Sequence, residues 1–340
     1  MESLSQILSN YFININNLIA SQIPKSEEGL FNKTFIVQDS GIYYILQKVN
    51  SILKENVFYN IEHITERMSK LGWEMPNIIR TRSGTLYHQT KDGTIWRLYN
   101  YILGENIKDI NKIDLYMMGS LLSKFHSDLY KINFIPKSPI SNFHNFSYYL
   151  KKIERLKKFI LDKKLYSIAE DILTIKEIEI ISTKNVQLIH GDCRFQNIIY
   201  DKNGIPFTFI DLDTFMNGSI FIDIGDLLRS ISCDEEQIRP SISVDNIKKV
   251  INGYYNCMKE KMGKVDFVKS TLAGFKQITL ELCMRFVIDY VEDYYFAWDK
   301  EKYSSRKENN RLIAIGQWDL YNQINSISEK YLLDMFLKEA

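Results

Sequence analysis

A chain of 340 residues, 45% hydrophobic and 13% aromatic, can bury a large core, and its length suits two lobes sharing one interface. Its 43 basic and 42 acidic side chains leave a formal charge of +1, which offers no general attraction for nucleic acid or an anionic membrane surface. No apolar run is long enough to span a bilayer, and the first residues lack a basic leader followed by an apolar stretch, so a cytoplasmic globular protein is expected.

Apolar positions at helical spacing (Leu4, Ile7, Leu8, Tyr11, Ile15, Leu18) predict an opening amphipathic helix over residues 3–19, closing near Pro24. Two segments rich in β-branched and aromatic residues, 30–37 and 42–49, flank Asp39-Ser40-Gly41, a turn composition that predicts a hairpin. A helix at 56–71 follows, then short strands at 77–80, 85–89 and 94–101, punctuated by Ser83-Gly84 and Asp92-Gly93. Beyond Gly104 the pattern turns helical, with helices predicted at 112–130, about 145–162, 165–181, 222–231, 241–261, 269–298 and a last one ending near 335. Residues 186–215 interrupt it: the apolar runs Val186 to Ile189, Ile198 to Tyr200 and Phe207 to Ile210, bounded by Asp, Asn and Gly, predict strands flanking loops. The four cysteines, Cys193, Cys233, Cys257 and Cys283, have neither zinc-site spacing nor the density of a secreted disulfide scaffold, so reduced thiols are expected.

The interruption carries the chemistry. Leu188-Ile-His-Gly-Asp-Cys-Arg-Phe-Gln-Asn197 contains H-x-D-x-x-x-x-N, and Phe209-Ile-Asp211-Leu-Asp213 follows. Phosphoryl transfer needs a carboxylate to orient and deprotonate the acceptor hydroxyl, and oxygen ligands for a Mg²⁺ ion that bridges the nucleotide phosphates. In this pattern Asp192 is the candidate base, and Asn197 and Asp211 are the candidate metal ligands. Arg194, inside the loop, is placed to offset charge on the γ-phosphate, although a solvated loop cation explains it as well. His190 suits a bracing hydrogen bond better than a second base. Each residue alone is an ordinary turn or strand-end residue; the two motifs at this spacing, behind a β-rich lobe, point to a kinase.

The loop resembles the catalytic loop of the aminoglycoside phosphotransferase and choline kinase superfamily, in which Gly replaces the Arg of the protein-kinase H-R-D motif. Within that superfamily the chain is most similar to the N-acetylhexosamine 1-kinases. The likeness is carried by Gly29 to Phe35, Tyr44 to Asn50, Trp96 to Ile102, Ile210 to Thr214 with Asp223 to Asp226, and Arg285 to Tyr290 leading to Tyr295 and Phe296. The resemblance implies an α+β, two-lobed protein-kinase-like fold: a small β-rich nucleotide-binding lobe over 1–103 and a larger helical lobe over 104–340 with the catalytic loop and acceptor site. It also implies ATP and Mg²⁺ as cofactors, and phosphorylation of the anomeric hydroxyl of GlcNAc or GalNAc to the sugar 1-phosphate.

Position by position, the resemblance puts Gly29, Asn32 and Thr34 in the loop over the nucleotide phosphates, and makes Glu62 the glutamate that normally pairs with a strand lysine. That lysine's place falls on Gln47, while Lys48, one residue on, should face the other side of the strand. Either Gln47 meets the phosphates without charge, or a bulge swings Lys48 inward. Tyr99 and Tyr101 fall in the hinge segment whose backbone would hydrogen-bond adenine, and Asp226 matches a residue that braces the catalytic loop. On the acceptor side, a helix near 276–298 sets Glu281, Arg285 and Asp289 at four-residue spacing, which intrahelical ion pairing also explains. The resemblance puts Arg285 and Tyr290 near the sugar with Asp192, and makes Tyr295 and Trp298 ring-stacking surfaces. The partner expected is therefore a small sugar, with no nucleic acid and no membrane, and the protein a monomer or weak homodimer. The rival readings are a superfamily kinase acting on choline, an aminoglycoside, homoserine or methylthioribose, and a nucleotide-binding protein without transfer, the latter motivated by Gln47.

Overall fold

The computed structural model describes residues 2–11, 19–22, 32–138, 140–175, 181, 185–233 and 238–327. In its first hundred residues, strands β1 (Ile19–Gln22), β2 (Lys33–Asp39), β3 (Ile42–Lys48), β4 (Ile78–Ile79), β5 (His88–Gln89) and β6 (Ile95–Asn100) form one antiparallel sheet. Its order is β1-β2-β3-β6-β4, with β5 also on β6. The β2–β3 hairpin is the one expected: Ser40 and Gly41 both take positive φ, 50° and 86°, as a tight two-residue turn between twisted strands requires. Period-two alternation then divides the side chains. Phe35, Val37, Leu46, Trp96 and Leu98 meet Ile7, Leu8 and Tyr11 in a small core on one face, while Gln47 and Arg97 belong to the other.

The N-terminal helix is shorter than its periodicity predicts. Helix α1 (Leu4–Leu8), closed by a Ser3–Gln6 capping box, ends within two turns, and Ile19 already belongs to β1. The apolar spacing that continues through Tyr11 reflects packing on the sheet, where the Tyr11 hydroxyl donates to the Trp96 carbonyl at 2.8 Å. Ile15 and Leu18 lie outside the described residues. Helix α2 (Asn56–Lys70) follows β3 and buries Val57, Phe58, Ile61, Ile64 and Met68.

The rest of the chain is mainly helical: α3 (Leu115–Tyr130), α4 (Phe146–Leu156), α5 (Lys163–Thr174), α6 (Ile220–Ser232), α7 (Val244–Asn256), α8 (Lys264–Glu292) and α9 (Arg306–Ser326). Two short antiparallel ribbons interrupt it: β7 (Val186–Ile189) pairs with β10 (Met216–Ser219), and β8 (Ile198–Tyr200) with β9 (Pro206–Phe209). β10 escaped the sequence reading because Met-Asn-Gly-Ser has no strand pattern; only its partner makes it a strand. The chain crosses from sheet to helices at 101–104, and Glu105 pairs with Tyr200 through both backbone bonds, 2.8 and 3.0 Å. Gly104 is obligatory there, since a Cβ would lie 2.3 Å from Ile199 Cγ2.

One core runs from α2 through Phe125 of α3 to Phe209, Phe215 and Leu227, and a second joins α4, α5, α8 and α9. The architecture is α+β, with a sheet region followed by a helical region. Cys193, Cys233, Cys257 and Cys283 are free thiols, and no described helix is long and apolar enough to cross a membrane.

Candidate active site

The loop between β7 and β8 is shaped by Gly191. Its φ is 84°, and a Cβ would lie 2.5 Å from the Thr214 carbonyl oxygen, so no side chain fits between the histidine and the aspartate. The loop is braced from α6: the buried Asp223 carboxylate accepts the backbone N–H groups of His190 (2.8 Å) and Gly191 (2.9 Å) and the imidazole Nε2–H of His126 (2.9 Å). Burial pushes this carboxyl up, but the His126 hydrogen bond and charge outweigh it and hold it below the usual range. Asp226, the brace implied by resemblance, instead pairs with Arg229 at 2.7 Å. The pair Asp223-Ile-Gly-Asp226 signalled two carboxylates on one helical turn without saying which faces the loop. His190 accepts the Asp192 N–H at Nδ1 (3.3 Å) and donates from Nε2 to the Ile210 carbonyl (3.0 Å), so it braces the loop.

Asp192, Arg194, Asp211 and Asp213 line one cleft. The Asp192 side chain is 32% exposed, which leaves it open to a ligand. Asn197 Nδ2 donates to its Oδ2 (3.1 Å) and to its carbonyl (2.9 Å), and Arg194 Nε stands 3.4 Å from Oδ1. Burial raises the Asp192 carboxyl, but the Arg194 guanidinium prevails and holds it below the usual value. Asp211 follows β9 in the left-handed conformation (φ 58°), which aspartate tolerates better than most residues. Burial, with Asp213 and Asp192 close by, pushes its carboxyl up to about 7.

Among the described residues no group of three or more His, Cys, Asp or Glu side chains could by itself hold a metal ion. The donors present suit Mg²⁺, which keeps several waters and takes one or two carboxylates together with nucleotide phosphates. Asn197 gives its amide nitrogen to Asp192, so its oxygen remains for a cation, and crowded carboxylates that drive Asp211 toward neutrality are what a divalent ion relieves.

On the nucleotide side, the β2–β3 register is unbroken from Lys33↔Lys48 through Asp39↔Ile42. No bulge swings Lys48 inward: it is exposed on the far face, and Gln47 is the residue on the cleft face. Glu62 does not pair with a strand lysine; it meets the exposed Arg80 at 2.7 Å. The cation on this face is Arg97 of β6, buried, paired with Asp213 and bonded to Gln47. Asn32 donates to Asp213 (2.8 Å) and accepts the Asn50 N–H (2.9 Å), and Thr34 Oγ1 lies 3.3 Å from Gln47 Nε2. Gly29 lies outside the described residues. Tyr99 belongs to the sheet, between Ile45 and Ile78, with its buried ring 5.0 Å from the Arg97 guanidinium. Tyr101 opens the crossing, its N–H donating to the Tyr43 carbonyl at 3.3 Å.

On the acceptor side, α8 stops at Glu292, where Asp293 turns left-handed (φ 58°). Asp289 then folds the chain back by accepting the backbone N–H groups of Tyr294 (3.0 Å), Tyr295 (2.7 Å) and Phe296 (2.9 Å). This brings Tyr295 and Phe296 to Arg285, whose guanidinium lies 5.0 Å from the ring of Phe143 and 5.4 Å from each of theirs and donates to Tyr295 Oη (3.1 Å). All four line the cleft with Asp192. The four-residue spacing therefore makes no ion-pair ladder: Glu281 meets His144, Arg285 the aromatic rings and Asp289 the turn. Tyr290 and Trp298 do not line the cleft; lysines 307 and 300 lie over their rings. Five positions beyond Arg285, Tyr290 is turned about 140° around the helix, and Trp298 lies past the helix end.

Two carboxylates, Asp192 and Asp211, lining one cleft, with the Asn197 amide hydrogen-bonded to the first, on a sheet region followed by a helical region, are the features of a phosphotransferase of kinase-like fold. The family comparison agrees: residues 25–246 match the model of the phosphotransferase enzyme family, APH, and the chain belongs to that family. Similar solved structures include an amicoumacin kinase in complex with AMP-PNP, Ca²⁺ and Ami, at TM-score 0.65 and 13% identity over 97% of this chain and 96% of that one. A choline kinase from Cryptosporidium parvum aligns at TM-score 0.63 and 16% identity over 98% and 96%. A Plasmodium vivax ethanolamine kinase aligns at 0.64 and 14% over 94% and 89%.

Proposed function

We propose that this chain is an ATP- and Mg²⁺-dependent kinase that phosphorylates the anomeric hydroxyl of an N-acetylhexosamine. The observation that carries the acceptor class is Arg285, a guanidinium in the cleft wall with no carboxylate partner among the described residues, lying against Phe143, Tyr295 and Phe296. An ammonium acceptor would meet like charge there and find those aromatic faces already occupied. Sugar hydroxyl and acetamido oxygens accept hydrogen bonds from the same N–H groups, and the rings offer apolar surface to the acetyl methyl.

Asp192, held ionised, takes the proton of the acceptor hydroxyl as that oxygen bonds to the γ-phosphorus and the bond to the β,γ-bridging oxygen breaks, releasing ADP. Arg194, beside it, offsets charge on the transferring group. Asp211 and Asn197 would hold Mg²⁺, which would supply charge neutralisation at the nucleotide phosphates. Asn32 and Thr34, with Gln47, border the phosphates, and the 101–104 crossing borders the adenine.

A second reading is an amino-alcohol or aminoglycoside acceptor, favoured by the choline and ethanolamine kinases of the same shape. An ADP-release panel over GlcNAc, GalNAc, hexoses, choline, ethanolamine and aminoglycosides separates the two, with NMR of the product locating the phosphate. Turnover of acetamido sugars at the anomeric oxygen is expected. Turnover confined to the amines would replace the first reading by the second, and nucleotide binding with no product on any acceptor would remove both.

A further inference from the structure

Arg97 stands directly opposite Gln47 across the β6–β3 pair and is 1% exposed. Its Nε and one Nη donate to Gln47 Oε1 at 3.0 and 2.8 Å, and its two Nη groups donate to the Asp213 carboxylate. A guanidinium has donors and no acceptor, so it can hold the glutamine only by the amide oxygen. The amide nitrogen is thereby turned away from Arg97, toward Thr34 Oγ1 at 3.3 Å. A carboxamide carries two N–H groups, and Thr34 takes one. The other is a donor left on the strand face where the resemblance places the phosphates. Asn32, at the start of β2, closes the network by donating to the same Asp213.

We propose that Arg97 is the nucleotide-positioning cation of this chain, moved from β3 to the neighbouring strand and acting at one remove. It fixes Gln47 with its amide N–H toward the nucleotide phosphates and anchors Asp213 beside the metal-side Asp211. The inference rests on the kinase reading above but not on the identity of the acceptor. It has an unusual corollary: a lysine at position 47, the residue expected in kinases, sets a second cation against Arg97 and removes the acceptor of two of its N–H groups.

The test is the dissociation constant of AMP-PNP with Mg²⁺, measured without acceptor on the full chain, alongside the thermal unfolding midpoint. Gln47→Glu still offers Arg97 an acceptor, so the midpoint stays at or above that of the wild type. Its nucleotide affinity falls about tenfold or more, the size of one charge-assisted hydrogen bond lost and a repulsion gained. Gln47→Lys weakens both folding and binding, and Gln47→Lys with Arg97→Gln, which keeps a single cation in the pair, recovers part of each loss. Nucleotide binding by Gln47→Glu within about twofold of wild type, a purely structural result, overturns the proposal. So does tighter binding by Gln47→Lys, or a double variant whose losses simply add or that fails to fold. Wild type that binds AMP-PNP but phosphorylates no acceptor removes the acceptor assignment and leaves this inference to the affinities, whereas wild type that binds no nucleotide removes both.

Discussion

Asp192 combines ionisation with access: Arg194 keeps it charged against burial, and it remains partly open to the cleft. Asp192→Asn keeps the shape and the hydrogen-bond acceptor but removes the proton acceptor. Its kcat should fall by about 10²–10⁴-fold with an unchanged thermal midpoint, and steady-state turnover near wild type would take Asp192 out of the mechanism. Arg285 calls for a different readout, because the proposed reading sets its N–H groups toward the acceptor and not the nucleotide. Arg285→Met, which keeps much of the apolar stem, should raise the acceptor KM about tenfold or more, as expected for lost hydrogen bonds to a charged group. AMP-PNP affinity should hold, and equal losses on both sides would assign Arg285 to structure. Asp192, Asn197 and Asp211 were legible in the sequence because their spacing is local to one loop and one strand end. Arg97 was not, because its meaning depends on which strand lies beside β3.

Elements are tied to the catalytic loop by a histidine that no motif marked. His144, in the left-handed conformation (φ 54°) just before α4, has acceptors at both ring nitrogens: Glu281 Oε1 of α8 at 3.0 Å and the Gly191 carbonyl at 2.6 Å. Both positions must carry hydrogen, so the ring is an imidazolium that joins α8 to the residue before Asp192. Burial and the Arg285 charge oppose protonation, but Glu281 and the Gly191 carbonyl outweigh them, and the folded pKa is raised. A raised pKa contributes stability that is complete below the unfolded value of about 6.5 and is lost as pH climbs through the folded value. The stability difference between wild type and His144→Gln, from urea unfolding, should therefore be largest below about pH 6.5 and shrink as the pH rises above that. A difference independent of pH would rule out the charged clamp. At the same scale, helix α8 was foreseen, but its end was not: the apolar pattern runs on through Tyr295 and Phe296, while Asp293 and the Asp289 cap break the helix before them.

At the scale of the molecule, the main core crosses the expected boundary near residue 103: the buried face of α2 shares one apolar cluster with Phe125, Phe209 and Leu227. The protein should accordingly unfold in one cooperative transition by circular dichroism and calorimetry, and AMP-PNP with Mg²⁺ at 100 times its dissociation constant should stabilise it by about 2.7 kcal/mol. Two separated transitions, with only the first moved by nucleotide, would mean that residues 1–103 fold as an independent lobe.

The order of sheet and helices and the residue types of the catalytic loop follow from signals a few residues long, namely alternation, helical period, turn dipeptides and one motif, and these are written along the chain itself. Which carboxylate braces the loop, which strand supplies the cation, and which aromatic rings surround Arg285 were decided only by contacts between distant segments: Asp223 with His190, Arg97 with Gln47 and Asp213, Arg285 with Phe143 and Tyr295. A charge takes its role from what lies within a few ångströms, and the sequence states only its position on the chain.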